Sequence, residues 1–166
     1  MHPLWGQTVV YMIKIISGGQ TGADQGGLYG ARDAGFPTGG YAPSGFLTED
    51  GPKPELLKGF GLVDSGLDYT GRTELNVRES DITLWFGNTG TPGHRATSKY
   101  AIKHKKRLIY ILSHNLYKSD SDRRDYVIYA LSECSVVNVA GNRESHNPGL
   151  YNLTRKWICG VLEEMV

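Results

Sequence analysis

The sequence predicts an α/β fold: a Rossmann-like three-layer sandwich, with a mainly parallel sheet of about five or more strands and helices on both faces. Two observations carry this. Short apolar runs alternate with amphipathic helical stretches along the whole chain. The first of these units also reads strand, glycine turn, helix, which opens a doubly wound sheet.

The elements follow in order. Val9 to Ile16 is a near-continuous apolar run with one lysine, as in a buried parallel strand. Gly18-Gly19 stops it. A helix from about Thr21 places Ala23, Gly27, Leu28, Ala31 and Ala34 on one face and ends at Gly35. Phe36 to Pro43 reads as a short second strand. Ser44 to Leu62, rich in Gly, Pro and acids, reads as a long surface excursion with one helical turn near Glu55 to Lys58. Thr73 to Glu79 is helical, Ile82 to Phe86 a strand, and His94 to Lys106 a helix with Thr97, Tyr100, Ala101 and His104 on one face. Leu108 to Leu112 is the next strand. Asp122 to Glu133 is a helix with Asp122 as its candidate cap. Val136 to Val139 is a strand. Pro148 suits the first turn of a last helix that carries Leu150, Leu153, Trp157, Ile158, Val161, Leu162 and Met165 as its apolar stripe.

This is one Rossmann-like domain over residues 1–166, with 1–11 as an N-terminal extension ahead of Met12. The net charge of +1 argues against a protein that lives on nucleic-acid backbones. The basic run Lys103 to Arg107 and the scattered tyrosines do not form a stacking groove, so nucleic acid is not an expected partner. No apolar run has membrane-spanning length and no signal peptide stands at the start. Cys134 and Cys159 lack metal or redox spacing and read as buried free thiols. A cytoplasmic location is expected. His2, His94, His104, His114 and His146 show no metal spacing, and Glu49 and Asp50 read as solvated loop acids.

In parallel sheets ligands sit beyond the carboxyl ends of the strands, so chemistry belongs in the loops there. The first runs from Ser17 to Gly27 and holds Gly18, Gly19, Gln20, Thr21, Gly22 and Asp24, with five glycines in eleven residues. A glycine loop that opens a helix offers free N–H groups and a positive dipole end, which suit a phosphate. Asp24 reads equally as a dipole-complementing acid or a ligand contact. The second cluster runs from Tyr69 to Asp81. Arg72 and Arg78 there are candidate phosphate clamps and Asn76 a candidate ring reader; alternatively, Thr73 and Asn76 cap a helix and Arg72, Glu74, Arg78 and Asp81 form a solvated ion-pair face. The third loop, Gly87 to Thr97, includes Gly90, Thr91, Gly93, His94 and Arg95 and repeats the logic of the first. The fourth, Gly141 to Gly149, reads equally as solvated loop or ligand rim.

The motifs Ser17-Gly18-Gly19-Gln20-Thr21-Gly22-Ala23-Asp24, Gly39-Gly40, Glu49-Asp50-Gly51, Tyr69 with Arg72-Thr73-Glu74-x-Asn76-Val77, Ser80-Asp81, and Asn138-Val139-Ala140-Gly141-x-Arg143-Glu144-Ser145 resemble the molybdenum cofactor carrier family. That family sits in a wider Rossmann-like superfamily with the Lonely Guy phosphoribohydrolases and the DNA-processing protein DprA. The resemblance implies a phosphate pocket built from the first and third loops. A molybdopterin phosphate would lie on Gly18 to Gly22, with the remainder held around Arg72 to Asp81 and Gly87 to Thr97. Its cofactor-binding set is Ser17, Gly18, Gly19, Gln20, Thr21, Gly22, Asp24, Arg72, Thr73, Glu74, Asn76, Arg78, Ser80, Asp81, Gly90, Thr91, Gly93 and Thr97. The chain departs from the family at Ser44-Gly45-Phe46, where a basic pair is usual, and at Ile82, where glycine is usual. The position of the phosphoribohydrolase glutamate falls at His94.

The expected function is binding or carriage of a phosphate-bearing small molecule, molybdenum cofactor or a nucleotide, by a homo-oligomer. The alternative is a nucleotide N-glycosidase or phosphohydrolase with Glu74 and Asp81 as its acids.

Overall fold

The computed structural model describes residues 12–112 and 120–166. The extension over 1–11, the start of the Val9 to Ile16 run, His2 and His114 lie outside them. Six strands form one parallel sheet: β1 (Lys14–Ile16), β2 (Thr38–Ala42), β5 (Leu62–Asp64), β6 (Ile82–Phe86), β7 (Arg107–Leu112) and β8 (Val136–Gly141), in the order β5-β2-β1-β8-β6-β7. β3 (Leu47–Thr48) and β4 (Gly51–Pro52) make a separate small antiparallel pair. The helices are α1 (Ala23–Asp33), α2 (Pro54–Gly59), α3 (Tyr69–Arg78), α4 (Pro92–Lys103), α5 (Asp120–Leu131) and α6 (Leu150–Glu164).

The two faces of the sheet differ. Ile15, Ile82, Leu84, Phe86, Ile109, Val137 and Val139 join α1, α5 and α6 in the main core. Each large side chain fully buried there stabilises the fold by roughly 1.5–3 kcal/mol. The alternate residues of β6 and β8, Thr83 and Asn138, hydrogen-bond to each other at 3.2 Å. On that face α3 packs against α4 through Val77, Tyr100 and Ala101.

α1 lies unusually close to α6. A Cβ at Gly26 or Gly30 would stand 2.6 Å from the carbonyl oxygens of Tyr151 and Arg155, respectively. The pair is also tied by Arg155 Nε, which donates to Asp33 at 2.6 Å.

Several expectations are corrected. The segment from Ser44 to Leu62 is no loose excursion. It folds a 3-10 turn, the β3–β4 hairpin and α2, and leads into β5, an added edge strand of the sheet. Its irregularly spaced Phe46, Leu57, Phe60 and Leu62 pack with Leu28 and Ala42 into a second core. Helix α3 begins at Tyr69 rather than Thr73, because the Asp68 carboxylate accepts the Gly71 N–H at 2.8 Å. Helix α4 begins at Pro92 with Thr91 as its cap. Helix α6 starts after Pro148, at Leu150, and Leu153 on its expected apolar stripe is exposed. Cys134 and Cys159 are free but only half-buried.

Candidate functional site

A cavity of about 230 Å³ opens beyond the carboxyl ends of β1, β6 and β8. This is the end of the sheet where the chain changes direction, with β8 inserted between β1 and β6. One wall is the first loop, with Gly18, Gln20 and Asp24. A second is α3, with Tyr69, Arg72, Thr73 and Asn76. A third is the N-terminus of α4, with Thr91, Gly93 and Thr97. Trp85, Asn138 and Ala140 supply the sheet surface, and Arg143 and His146 come from the loop after β8.

The first loop does not present the free N–H cradle expected of it. The Gly19 N–H donates to Ser17 Oγ at 3.2 Å, that of Thr21 to Gln20 Oε1 at 3.0 Å, and that of Ala23 to the Asn142 carbonyl at 3.2 Å. The Gln20 N–H donates to Asp24 Oδ2 at 3.1 Å, and the Gly18 N–H supports the same carboxylate. Asp24 therefore occupies the place an external anion would take. Its other partner is Arg72, whose Nη1 donates to Asp24 Oδ2 at 3.2 Å. Burial pushes the Asp24 carboxyl up from its ordinary value, opposed by the Arg72 charge and the loop N–H groups. Burial likewise pulls the Arg72 guanidinium down, with Asp24 acting against it. The loop's glycines are packing glycines. A Cβ at Gly18 would overlap the Arg72 guanidinium, one at Gly19 would meet Leu57 and Leu62 within 3.0 Å, and one at Gly22 would stand 2.4 Å from the Asn142 carbonyl oxygen.

The α4 side is different. Thr91 Oγ1 accepts the His94 N–H at 3.2 Å. A Cβ at Gly93 would find only Trp85, at 3.9 Å. Across the opening, Tyr69 lies between two cations, with the Arg72 and Arg143 guanidinium carbons 5.6 and 5.9 Å from its ring centre.

Gln20 is a clasp. Its Oε1 accepts the N–H groups of both Thr21 and Glu49, at 3.0 and 2.8 Å. Glu49, read from sequence as a solvated acid, in fact accepts from the Thr21 hydroxyl and from the Ser145 N–H, so it ties the β3–β4 hairpin to the first and fourth loops. Burial pushes its carboxyl up, but those hydrogen bonds and the nearby Arg143 charge outweigh it and hold the group below its ordinary value. Glu144 is also structural: Oε1 accepts the Tyr151 N–H at 2.9 Å, at the start of α6.

The structure thus gathers Gly18, Gln20, Asp24, Arg72, Thr73, Asn76, Thr91, Gly93 and Thr97 around one cavity. It places others elsewhere. Glu74 is bound to Lys103 Nζ at 2.7 Å and His104 Nε2 at 2.9 Å, at the C-terminal end of α4. Arg78 pairs with neighbouring Glu79 at 3.0 Å. Ser80 donates to the Val77 carbonyl at 3.0 Å. Asp81 Oδ2 accepts the Ser135 and Val136 N–H groups at 2.8 and 2.9 Å, fixing the entry to β8 at the opposite end of the strands. These four, the proposed hydrolase acids Glu74 and Asp81 among them, are off the cavity wall. Ser17, Gly19, Thr21 and Gly22 belong to the first loop but not to the cavity wall, and Gly90, on the exposed turn before α4, is also off it. Asn76 is fixed by the Tyr41 backbone, accepting its N–H at 3.0 Å and donating to its carbonyl at 2.9 Å.

His94 turns away. Its Nδ1 accepts the Gly90 N–H at 3.1 Å, so Nε2 carries the proton toward the Tyr110 hydroxyl, 2.8 Å away. Burial, with Arg95 nearby, pulls its pKa below the usual histidine value. Trp85 reaches the wall unannounced, since it reads in sequence only as a strand residue, whereas Arg143 and His146 come from the fourth loop, which reads equally as solvated loop or ligand rim.

The geometry has counterparts. Residues 15–162 match the model of the Circularly permutated YpsA SLOG family. A crystal structure from Syntrophus aciditrophicus SB, of a "putative molybdenum carrier protein", superposes with a TM-score of 0.77 at 33% identity, over 94% of this chain and 96% of that one. No curated protein matches the chain. The chain belongs to the Circularly permutated YpsA SLOG family.

Proposed function

We propose that this member of the family binds and carries a phosphate-bearing small molecule, molybdenum cofactor or a nucleotide, in the cavity between α3, α4 and β8. The observation that supports it is the distribution of charge on the wall. Arg72 is already matched by Asp24. Arg143 faces no carboxylate on the wall but Asp24, which Arg72 already holds, and its charge acts on Glu49 off the wall; the N-terminus of α4 adds a positive dipole end to the same cavity. A phosphate would sit there, with Thr91 and Thr97 as hydroxyl donors, and not on Gly18 to Gly22 as the resemblance implies. The molybdenum carrier from Syntrophus aciditrophicus lends weight to the cofactor reading.

The cavity of about 230 Å³ is smaller than the roughly 300–1,000 Å³ typical of whole-ligand pockets. It fits one end of such a molecule, leaving the phosphate at the opening. When bound, molybdenum cofactor would bring its own sulfur ligands to the metal; the chain would hold and shield it. Among the described residues no cluster of His, Cys, Asp and Glu could hold a metal by itself. Carriage without a chemical step fits the wall, whose carboxylate, Asp24, is buried and paired.

The test is calorimetric titration of the purified chain with GMP and AMP, with Arg143→Ala as control. Micromolar to millimolar binding by the native chain, weakened about tenfold in Arg143→Ala, is expected. Absence of binding by either nucleotide, together with no co-purifying ligand in native mass spectrometry, would overturn the proposal.

A further inference from the structure

Two donors on the cavity wall lack partners. Trp85 Nε1 and Gln20 Nε2 are closed to solvent and meet no acceptor among the described residues. Trp85 is 2% exposed and Gln20 7%, and both line the cavity. Their identity as donors is fixed. An indole nitrogen only donates. The Gln20 amide cannot flip, because Oε1 accepts two N–H groups and a flip would set its NH₂ against both donors. Buried polar groups in native proteins are rarely left without a partner. These two flank β8, with Gln20 in the loop after β1 and Trp85 on β6, paired in register with Ala140.

We propose that Gln20 and Trp85 are specificity-determining donors that select the buried end of the ligand: a flat heterocycle presenting an oxo edge rather than an amino edge. This rests on the reading of the cavity as a phosphate-ligand site. The charge layout orients such a ligand. The interior is electrically balanced, Arg72 against Asp24, and its two open donors are neutral. A phosphate buried there would find no uncompensated positive charge, which disfavours it. Half-buried Arg143 and the exposed N-terminus of α4 lie at the opening, so the anion faces outward and the ring inward. A 6-oxopurine edge offers two acceptors, O6 and N7, whereas adenine offers one acceptor and an amino donor. A 4-oxopterin shares the acceptor edge. Sites built to hydrogen-bond one group discriminate strongly against an analogue that leaves the buried partner unpaired.

The experiment titrates the intact chain with GMP, neopterin monophosphate and AMP, then repeats the series on Trp85→Phe and Gln20→Glu. Trp85→Phe removes the donor and keeps a ring in the wall. Gln20→Glu keeps an oxygen for the Thr21 and Glu49 N–H groups and replaces the NH₂. Thermal unfolding identifies folded variants. GMP or neopterin monophosphate should bind at least about tenfold more tightly than AMP, and each substitution should reduce that ratio by about tenfold. Whichever of the two oxo ligands binds more tightly identifies the ring class. Equal binding of all three, or a ratio unchanged in both variants, would overturn the assignment of these donors while leaving the phosphate site standing. Binding of none would overturn the site itself, and this inference with it.

Discussion

Two glycine-rich loops open helices at the same end of this sheet, and the glycines at their helix ends differ. In the first, side-chain atoms are absent because the protein's own atoms fill the space: Arg72 over Gly18, Leu57 and Leu62 against Gly19, the Asn142 carbonyl against Gly22. Its N–H groups are turned inward to Ser17, Asp24, Gln20 and Asn142. In the loop that opens α4, Gly87 is packed too, since a Cβ there would stand 2.2 Å from Asn142 Oδ1, but Gly93 in the first turn of the helix meets nothing closer than Trp85 at 3.9 Å, and the space beyond it is the cavity. Composition alone treats the loops alike. What separates them is whether the helix end they open has already been given an anion by the chain, and Asp24 is that anion.

The difference can be broken from the largest effect downward. Arg72→Met leaves Asp24 buried without its cation and should destabilise the fold by about 3–5 kcal/mol. Chemical denaturation measures this, and pairing the change with Asp24→Asn should recover part of the loss. Gly22→Ala comes next. Gly22 has φ 78°, and a Cβ there would stand 2.4 Å from a backbone oxygen. With ψ −126° the residue lies outside the left-handed helical well, in a sparsely populated region that costs of order 1–3 kcal/mol, so a loss of at least about 2 kcal/mol is expected in the same assay. Gly93→Ala, on the open side, should stay within about 0.5 kcal/mol of the native chain. If Gly22→Ala and Gly93→Ala were equally tolerated, the distinction between packed and open loops would fail.

The smallest effect tests the frame that carries both loops. The hydrogen bond from Arg155 holds the Asp33 carboxyl below its ordinary value of 3.8. A carboxylate depressed in the fold stabilises it above the unfolded value and loses that contribution as pH falls through the folded one. Both side chains are more than a third exposed, so the pair contributes roughly 0.2–1 kcal/mol. Arg155→Met should therefore lower the unfolding midpoint slightly at neutral pH, and the gap should narrow as the pH falls below about 4.

The architecture was legible in the sequence because its strands are short apolar runs and its helices carry clear stripes. Ile82 to Phe86 and the buried face of α4 are where periodicity places them. β5 was not legible, because Leu62-Val63-Asp64 is too short to show a period and is an edge strand only by virtue of the second core beneath it. The site was legible as a set of loops but not as a set of contacts. Glu74, Arg78, Ser80 and Asp81 share a polar cluster with Arg72, yet Glu74 and Arg78 stand about half a turn of α3 away from the cavity-lining Arg72 and Asn76, and Ser80 and Asp81 lie beyond the end of the helix. Starting α3 at Thr73 hid this phase, which Asp68 sets from outside the motif. Trp85 carries no polar signal in a strand of apolar residues. Its role depends on a missing partner for one nitrogen, which only the packed structure reveals.

The most direct test identifies the small molecules released from the purified native chain and from Gly93→Leu, by mass spectrometry, after thermal unfolding has shown that both are folded. Leucine at this position would fill the open side of the cavity without touching the first loop. The account predicts a phosphorus-bearing heterocycle in the native chain and its loss from Gly93→Leu. An equal load in both proteins, or none in a native chain that also fails to bind added GMP and AMP, would contradict it.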